Sequence, residues 1–148
     1  MVILHPSDPL KEKLAEQLRD LQNAVSRLKE TLALPPTRVH KDATIKRFEF
    51  TLELAWKLMQ TITQYNNIES FGPRNAIRAA AQLGYIDNPQ PWFDTLKTRN
   101  LTAHVYNESI ADAAYEQTKS LPPLVELFLS SIESQGIFTE ETPTKNTT

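Results

Sequence analysis

The residues best able to do chemistry fall in one stretch, Arg99-Asn100-Leu101-Thr102-Ala103-His104-Val105-Tyr106-Asn107-Glu108. It holds a permanent cation, an imidazole of the kind that titrates near neutrality, a phenol and two carboxamides. A guanidinium can stabilise charge growing on phosphoryl oxygens, and an imidazole can take or give a proton. On an ideal helix Arg99 and Tyr106 share one face, while Asn100, His104 and Asn107 share another. Arg99 and His104 stand about 140° apart if that helix is unbroken. They converge only if the helix is distorted or if two chains juxtapose their copies. On residue types alone, an ordinary hydrogen-bonded or solvated Arg–His pair stays open beside a catalytic one.

Other chemistries are poorly served. The chain has no cysteine, which removes a thiol nucleophile, a disulfide scaffold and a cysteine-ligated metal. His5, His40 and His104 form no i, i+4 pair and no H-E-x-x-H, so no metal site is expected. No glycine-rich loop precedes a helix, and no G-x-S-x-G elbow is present. The net charge of −2 argues against a nonspecific polyanion binder but leaves room for a local basic site.

The elements that must position the stretch read as helices. A chain of 148 residues predicts one domain. Its expected span is 8–135, with a polar, disordered tail over 136–148. Only three glycines occur, which suits helices better than turn-rich sheets. The first helix starts at Asp8-Pro9, with Asp8 as cap, and carries Leu14, Leu18, Leu21, Val25, Leu28 and Leu32 on one stripe until Pro35-Pro36. A second runs from about Asp42 to Asn66, its stripe of Ile45, Phe48, Leu52, Ala55, Met59 and Ile62 widened by Phe50, Leu54, Trp56 and Leu58. So broad a face implies more than one neighbour, from this chain or a second copy. Glu49 and Glu53, four apart, read as a solvated or hydrogen-bonded pair, and Glu53 suits an ion pair with Lys57.

A third helix begins at Gly72-Pro73 and ends at Gly84. A fourth carries Trp92, Phe93 and Leu96 and continues through Lys97 to Tyr106. A fifth spans about Ser109 to Ser134, with Pro122-Pro123 kinking or splitting it. The fold class expected is all-α, an antiparallel bundle of about five helices. No apolar run is long enough to span a bilayer, and the N-terminus lacks the pattern of a signal peptide, so a cytoplasmic protein is expected.

Arg99-x4-His104-x-Tyr106 resembles the R-x4-H-x-Y signature of the HEPN superfamily (higher eukaryotes and prokaryotes nucleotide-binding). Asn100 fits the polar residue that often follows its arginine. Arg47-Phe48-Glu49-Phe50-Thr51-Leu52-Glu53-Leu54-Ala55-Trp56-Lys57 is similar to a helix of its nucleotidyltransferase substrate-binding branch. Pro73-Arg74, Ile77, Ala80, Leu83-Gly84-Tyr85-Ile86, Trp92 and His104-Val105-Tyr106-Asn107-Glu108 continue the likeness in order. The resemblance implies a HEPN-like bundle that forms homodimers and pairs with a cognate minimal nucleotidyltransferase antitoxin, as in type VII-like toxin–antitoxin modules. It implies a metal-independent endoribonuclease with RNA as substrate and Arg99, Asn100 and His104 as catalytic residues. Tyr106 would be a support or adenylylation site, with ATP used by the partner and no cofactor of the chain's own. Lys41, Lys46, Arg47, Arg74, Arg78 and Asn107 are candidate RNA or nucleotide contacts. A noncatalytic substrate- or nucleotide-binding subunit uses the same residues, and a plain dimerisation module needs none of them.

Overall fold

Leucines three and four apart build the first element. Leu14, Leu21 and Leu28 are fully buried, and Leu18 and Leu32 pack against the same core. The computed structural model describes residues 8–137, and its regular elements there are all helical. They are α1 (Asp8–Leu32), α2 (Arg38–Tyr65), α3 (Pro73–Gln82), α4 (Pro89–Leu101), a 3-10 turn (Thr102–His104), α5 (Glu108–Thr118) and α6 (Leu121–Gln135). The side chain of Asp8, expected to cap the first helix, lies outside the described residues.

The short link 33–37 returns α2 antiparallel to α1, the arrangement that short connections impose. α2 starts four residues before the expected Asp42, because Thr37 caps it: the His40 amide donates to Thr37 Oγ1 at 3.2 Å. His40 is absorbed by the same turn, its Nδ1 lying 2.6 Å from the Pro35 carbonyl. α2 is the central element and packs on α1, α3 and α5. Its buried threonines stay satisfied by bonding back one turn: Thr44 to His40 O, Thr51 to Arg47 O and Thr61 to Lys57 O. The broad apolar face expected of α2 is mostly covered, with Leu58 buried and Leu54 and Trp56 packed on the core. Phe50 is the exception and stays exposed.

Two expected boundaries move. The fifth helix is split into α5 and α6, and the break falls at Lys119-Ser120 rather than at Pro122-Pro123. Both prolines sit in the first turn of α6, where a missing N–H costs nothing. The core also runs past residue 135. Gly136 ends α6 with φ +70°, and Ile137 behind it is buried, so these two residues are not part of a tail. The rest of the expected tail, 138–148, lies outside the described residues. Trp92, Phe48 and Phe128 are the largest buried side chains, and Trp92 meets Phe128 edge to face at 6.1 Å. Among the described residues no helix is long and apolar enough to cross a membrane.

Candidate active site

The expected helix through Tyr106 does not persist. α4 ends at Leu101, and the chain tightens into the 3-10 turn before α5 begins at Glu108. The 140° separation on a straight helix therefore does not apply to Arg99 and His104. Two side chains bond the backbone on either side of the stop. Thr102 turns back, its Oγ1 lying 2.7 Å from the Arg99 carbonyl. Asn107 caps α5, accepting from the Ile110 amide at 3.2 Å. That bond gives the Asn107 side-chain oxygen a structural role, while its amide donors remain available.

Arg99 lies in the last turn of α4, where a cation complements the helix dipole. Its Nη1 is 3.2 Å from Glu49 Oε2 and 3.2 Å from Thr102 Oγ1. Thr102 Oγ1 is in turn 2.6 Å from Glu49 Oε2. Glu49 is well shielded, with 18% of its side chain exposed, while Arg99 keeps 45%. The carboxylate thus fixes one edge of the guanidinium and leaves its other donors to solvent or a ligand. Lys46 approaches the second Glu49 oxygen only to 3.9 Å.

Arg99 and Asn100 line a cleft of about 460 Å³ between α2, α4 and the start of α3, with Glu49, Glu53, Trp56, Phe71, Arg74 and Asn75 among its walls. The Asn100 side chain has no hydrogen-bond partner among the described residues and does not bond His104. His104 is exposed in the 3-10 turn, outside this cleft. Its ring meets Tyr106 edge to face at 6.2 Å. Tyr106 is 86% exposed and borders a neighbouring hollow with Lys46, Glu49 and Thr102. Glu49 therefore joins the Arg99 cleft to the Tyr106 surface.

The other basic candidates disperse. Arg74 lines the cleft, but its guanidinium lies over the Phe93 ring at 4.9 Å, beside that of Arg78 at 5.4 Å. Arg47 turns to α1, donating to the Arg27 carbonyl at 2.7 Å and facing Glu30 at 3.6 Å. Lys41 joins Arg38 on Asp112, whose carboxyl is held below its usual range chiefly by the Lys41 hydrogen bond. Lys46 remains open on α2 near Glu49. Among the described residues no three His, Asp or Glu side chains converge as a metal site.

Glu49 is a site residue that its spacing on α2 does not mark. The expected Glu53–Lys57 ion pair forms at 2.7 Å, but Glu49 turns toward α4 instead of joining Glu53 in solvent. The one available signal is its position flanking the buried Phe48 on the stripe. Thr102, the hydroxyl that couples Glu49 to the helix end, is likewise unmarked.

Comparison with known proteins places these features in context. Residues 16–134 match the family described as nucleotidyltransferase substrate binding protein like. A 78-residue stretch is 32% identical to the probable ribonuclease HepT of Haemophilus influenzae, covering 49% of this chain and 53% of that one. The chain thus spans about half the length of that curated relative. A solved protein from Thermus thermophilus is 32% identical with a TM-score of 0.69, over 74% of this chain and 96% of its own. HI0074 of Haemophilus influenzae, described as having the fold of a substrate binding domain of a nucleotidyltransferase, is 25% identical with a TM-score of 0.69. That likeness covers 78% of this chain and 98% of HI0074.

Proposed function

The chain belongs to the nucleotidyltransferase substrate binding protein like family, and we propose that it is a metal-independent endoribonuclease toxin of the HEPN type. The observation that carries this reading is the Arg99 guanidinium, steadied by Glu49 and Thr102 with donors left over, followed one turn later by the exposed His104. The ribonuclease name of the Haemophilus relative supports it.

RNA brings its own nucleophile. The 2′-oxygen attacks the adjacent phosphorus, the 2′-proton passes to an imidazole, and the P–O5′ bond breaks. The leaving 5′-oxygen takes a proton from a second imidazole. The products are a 2′,3′-cyclic phosphate and a 5′-hydroxyl. Arg99 stabilises the charge on the non-bridging oxygens, and Asn100 orients the phosphate. Two His104 rings are supplied by a homodimer, whose axis brings the exposed turns of two chains together. The chain holds no cofactor of its own in this scheme.

Tyr106 serves as the off switch. A cognate minimal nucleotidyltransferase antitoxin uses ATP, the phenolic oxygen attacks the α-phosphorus, and pyrophosphate leaves. The resulting AMP adds bulk and negative charge beside His104, which repels an anionic strand. The exposure of Tyr106 supports access by such an enzyme. A cytoplasmic location fits a toxin that meets RNA and ATP.

A second reading, a noncatalytic substrate- or nucleotide-binding subunit, is favoured by one observation. His104 lies outside the cleft that holds Arg99 and Asn100. Cleavage products decide between the two. Purified protein, verified by mass as unmodified at Tyr106, is incubated with transfer, ribosomal and messenger RNA in EDTA. Fragments ending in 2′,3′-cyclic phosphate are expected, and their loss is expected after treatment with the nucleotidyltransferase and ATP. Stoichiometric nucleotide binding with intact RNA would support the binding subunit instead.

A further inference from the structure

Phe71 is an aromatic side chain that packing does not explain. It is 71% exposed, yet its backbone is braced on three sides. Before it, Ser70 Oγ lies 2.6 Å from the Thr63 hydroxyl in a buried pair. After it, the Gly72 amide donates to Gln60 Oε1 at 3.0 Å. Its own carbonyl accepts from Asn75 Nδ2 at 3.0 Å. Gly72 takes φ +85°, a conformation that glycine adopts readily, and is the residue from which α3 starts. A loop anchored in this way holds an aromatic face outward, and little ordering remains to be lost on binding.

Resting on the RNA reading above, we infer that the Phe71 side of the Arg99 cleft is a nucleobase subsite, in which a base of the bound single strand stacks on Phe71 while Arg99 holds a phosphate of the same strand. α2 sets the spacing. Glu49 touches Arg99 and Gln60 touches Gly72, eleven residues and about 16 Å further along the helix. Phosphate and base therefore occupy separate positions along one strand. Trp56 lines the cleft between those two points.

Charge assigns the occupants. The guanidinium of Arg99 suits an anion. One turn further along α2 the cleft is bordered by Glu53, already paired with Lys57, and Arg74 beside Phe71 lies over the Phe93 ring, so the phosphate is placed at Arg99 and the neutral base at Phe71. The free carboxamide of Asn100 offers both a donor and an acceptor to a base edge or a phosphate. Base–aromatic stacking tolerates any base, because each presents a π-face. The subsite therefore gives affinity and register more than sequence choice.

The test uses the full chain and a fluorescent hexanucleotide that is 2′-O-methylated throughout, so that it binds but lacks the attacking hydroxyl. Affinity is read by anisotropy for wild type, Phe71→Ala, Phe71→Trp and Arg99→Ala, with an abasic residue walked along the probe. Phe71→Ala is expected to weaken binding by about 5- to 150-fold, and Phe71→Trp to restore it. One abasic position should cost wild type the same factor and cost Phe71→Ala nothing more. If Phe71→Ala binds like wild type while Arg99→Ala does not, the subsite is wrong and the RNA reading stands. No binding by wild type overturns both. If sedimentation shows that Phe71→Ala only dissociates an oligomer, without changing affinity per chain, the face is a protein contact and the subsite is overturned.

Discussion

The two ends of α4 do opposite work. At its start, Trp92 and Thr95 are buried, and Trp92 packs edge-on against Phe128 of α6. The Thr95 hydroxyl there is silenced locally, since it bonds the Trp92 carbonyl at 2.6 Å. At its end, Arg99 and Asn100 face a cleft, and the polar contacts cross to α2 through Glu49 and Thr102. Four residues after Thr95 the helix changes from a packing element to a bearing surface for charge. The first half thus acts as a rigid seat for the second. A site built on a well-packed helix holds its geometry better than one on a free loop.

This contrast fails first at the packed end. Trp92→Ala should lower stability by about 3–5 kcal/mol, read by denaturant unfolding, with any loss of RNA cleavage following the folded fraction. A smaller change in free energy is expected at the open end. Arg99→Ala should reduce cleavage by about 100- to 1,000-fold, equal to about 2.7–4 kcal/mol of transition-state stabilisation, with the melting curve nearly unchanged. Equal losses of stability from the two substitutions would erase the distinction.

Glu49→Gln resolves the open end more finely, because the amide keeps the shape and removes the charge. The guanidinium then loses its fixed edge, and cleavage should fall by up to about 100-fold through mispositioning. The ion pair is partly exposed, so its loss should cost no more than about 1 kcal/mol of stability. Glu49→Asp should recover part of the rate if the carboxylate positions Arg99.

The weakest effect lies away from both ends. Asp112 is ionised more readily in the fold than in the unfolded chain, because Lys41 and Arg38 bond it. A depressed carboxyl contributes stability that is complete above its unfolded value and lost as pH falls through its folded value. Stability should therefore decline below the usual carboxylate range, and Asp112→Asn should remove this part of the decline. Unfolding curves at stepwise lower pH, with cleavage at neutral pH as a control, would show it.

Much of the surrounding helical frame was legible in the sequence. The leucine stripe of α1 and the Gly72-Pro73 start of α3 rest on local rules of periodicity and capping. The early start of α2 at Thr37 was also local, but its first turn precedes the apolar stripe and so escapes a reading based on periodicity. The stop of α4 at Leu101 was not legible. Residues 97–106 contain no glycine or proline, and the local mark of the change is Asn107, which caps the start of α5. Glu49 was hidden for a different reason. Its partner lies fifty residues away, and spacing within α2 says nothing about which helix faces its open side. Arg74 and Arg78 show the converse, since neither their type nor their position announces that Phe93 will hold both.

The proposed chemistry stands on the open end of α4, completed by the turn that follows it. The most direct measurement is the rate of RNA cleavage in EDTA by protein unmodified at Tyr106, beside His104→Ala at equal folded concentration. Because His104 is exposed, the variant should unfold like wild type. The expected result is a loss of about 100- to 10,000-fold in rate, the range of general acid–base catalysis. Cleavage by His104→Ala at the wild-type rate would contradict it.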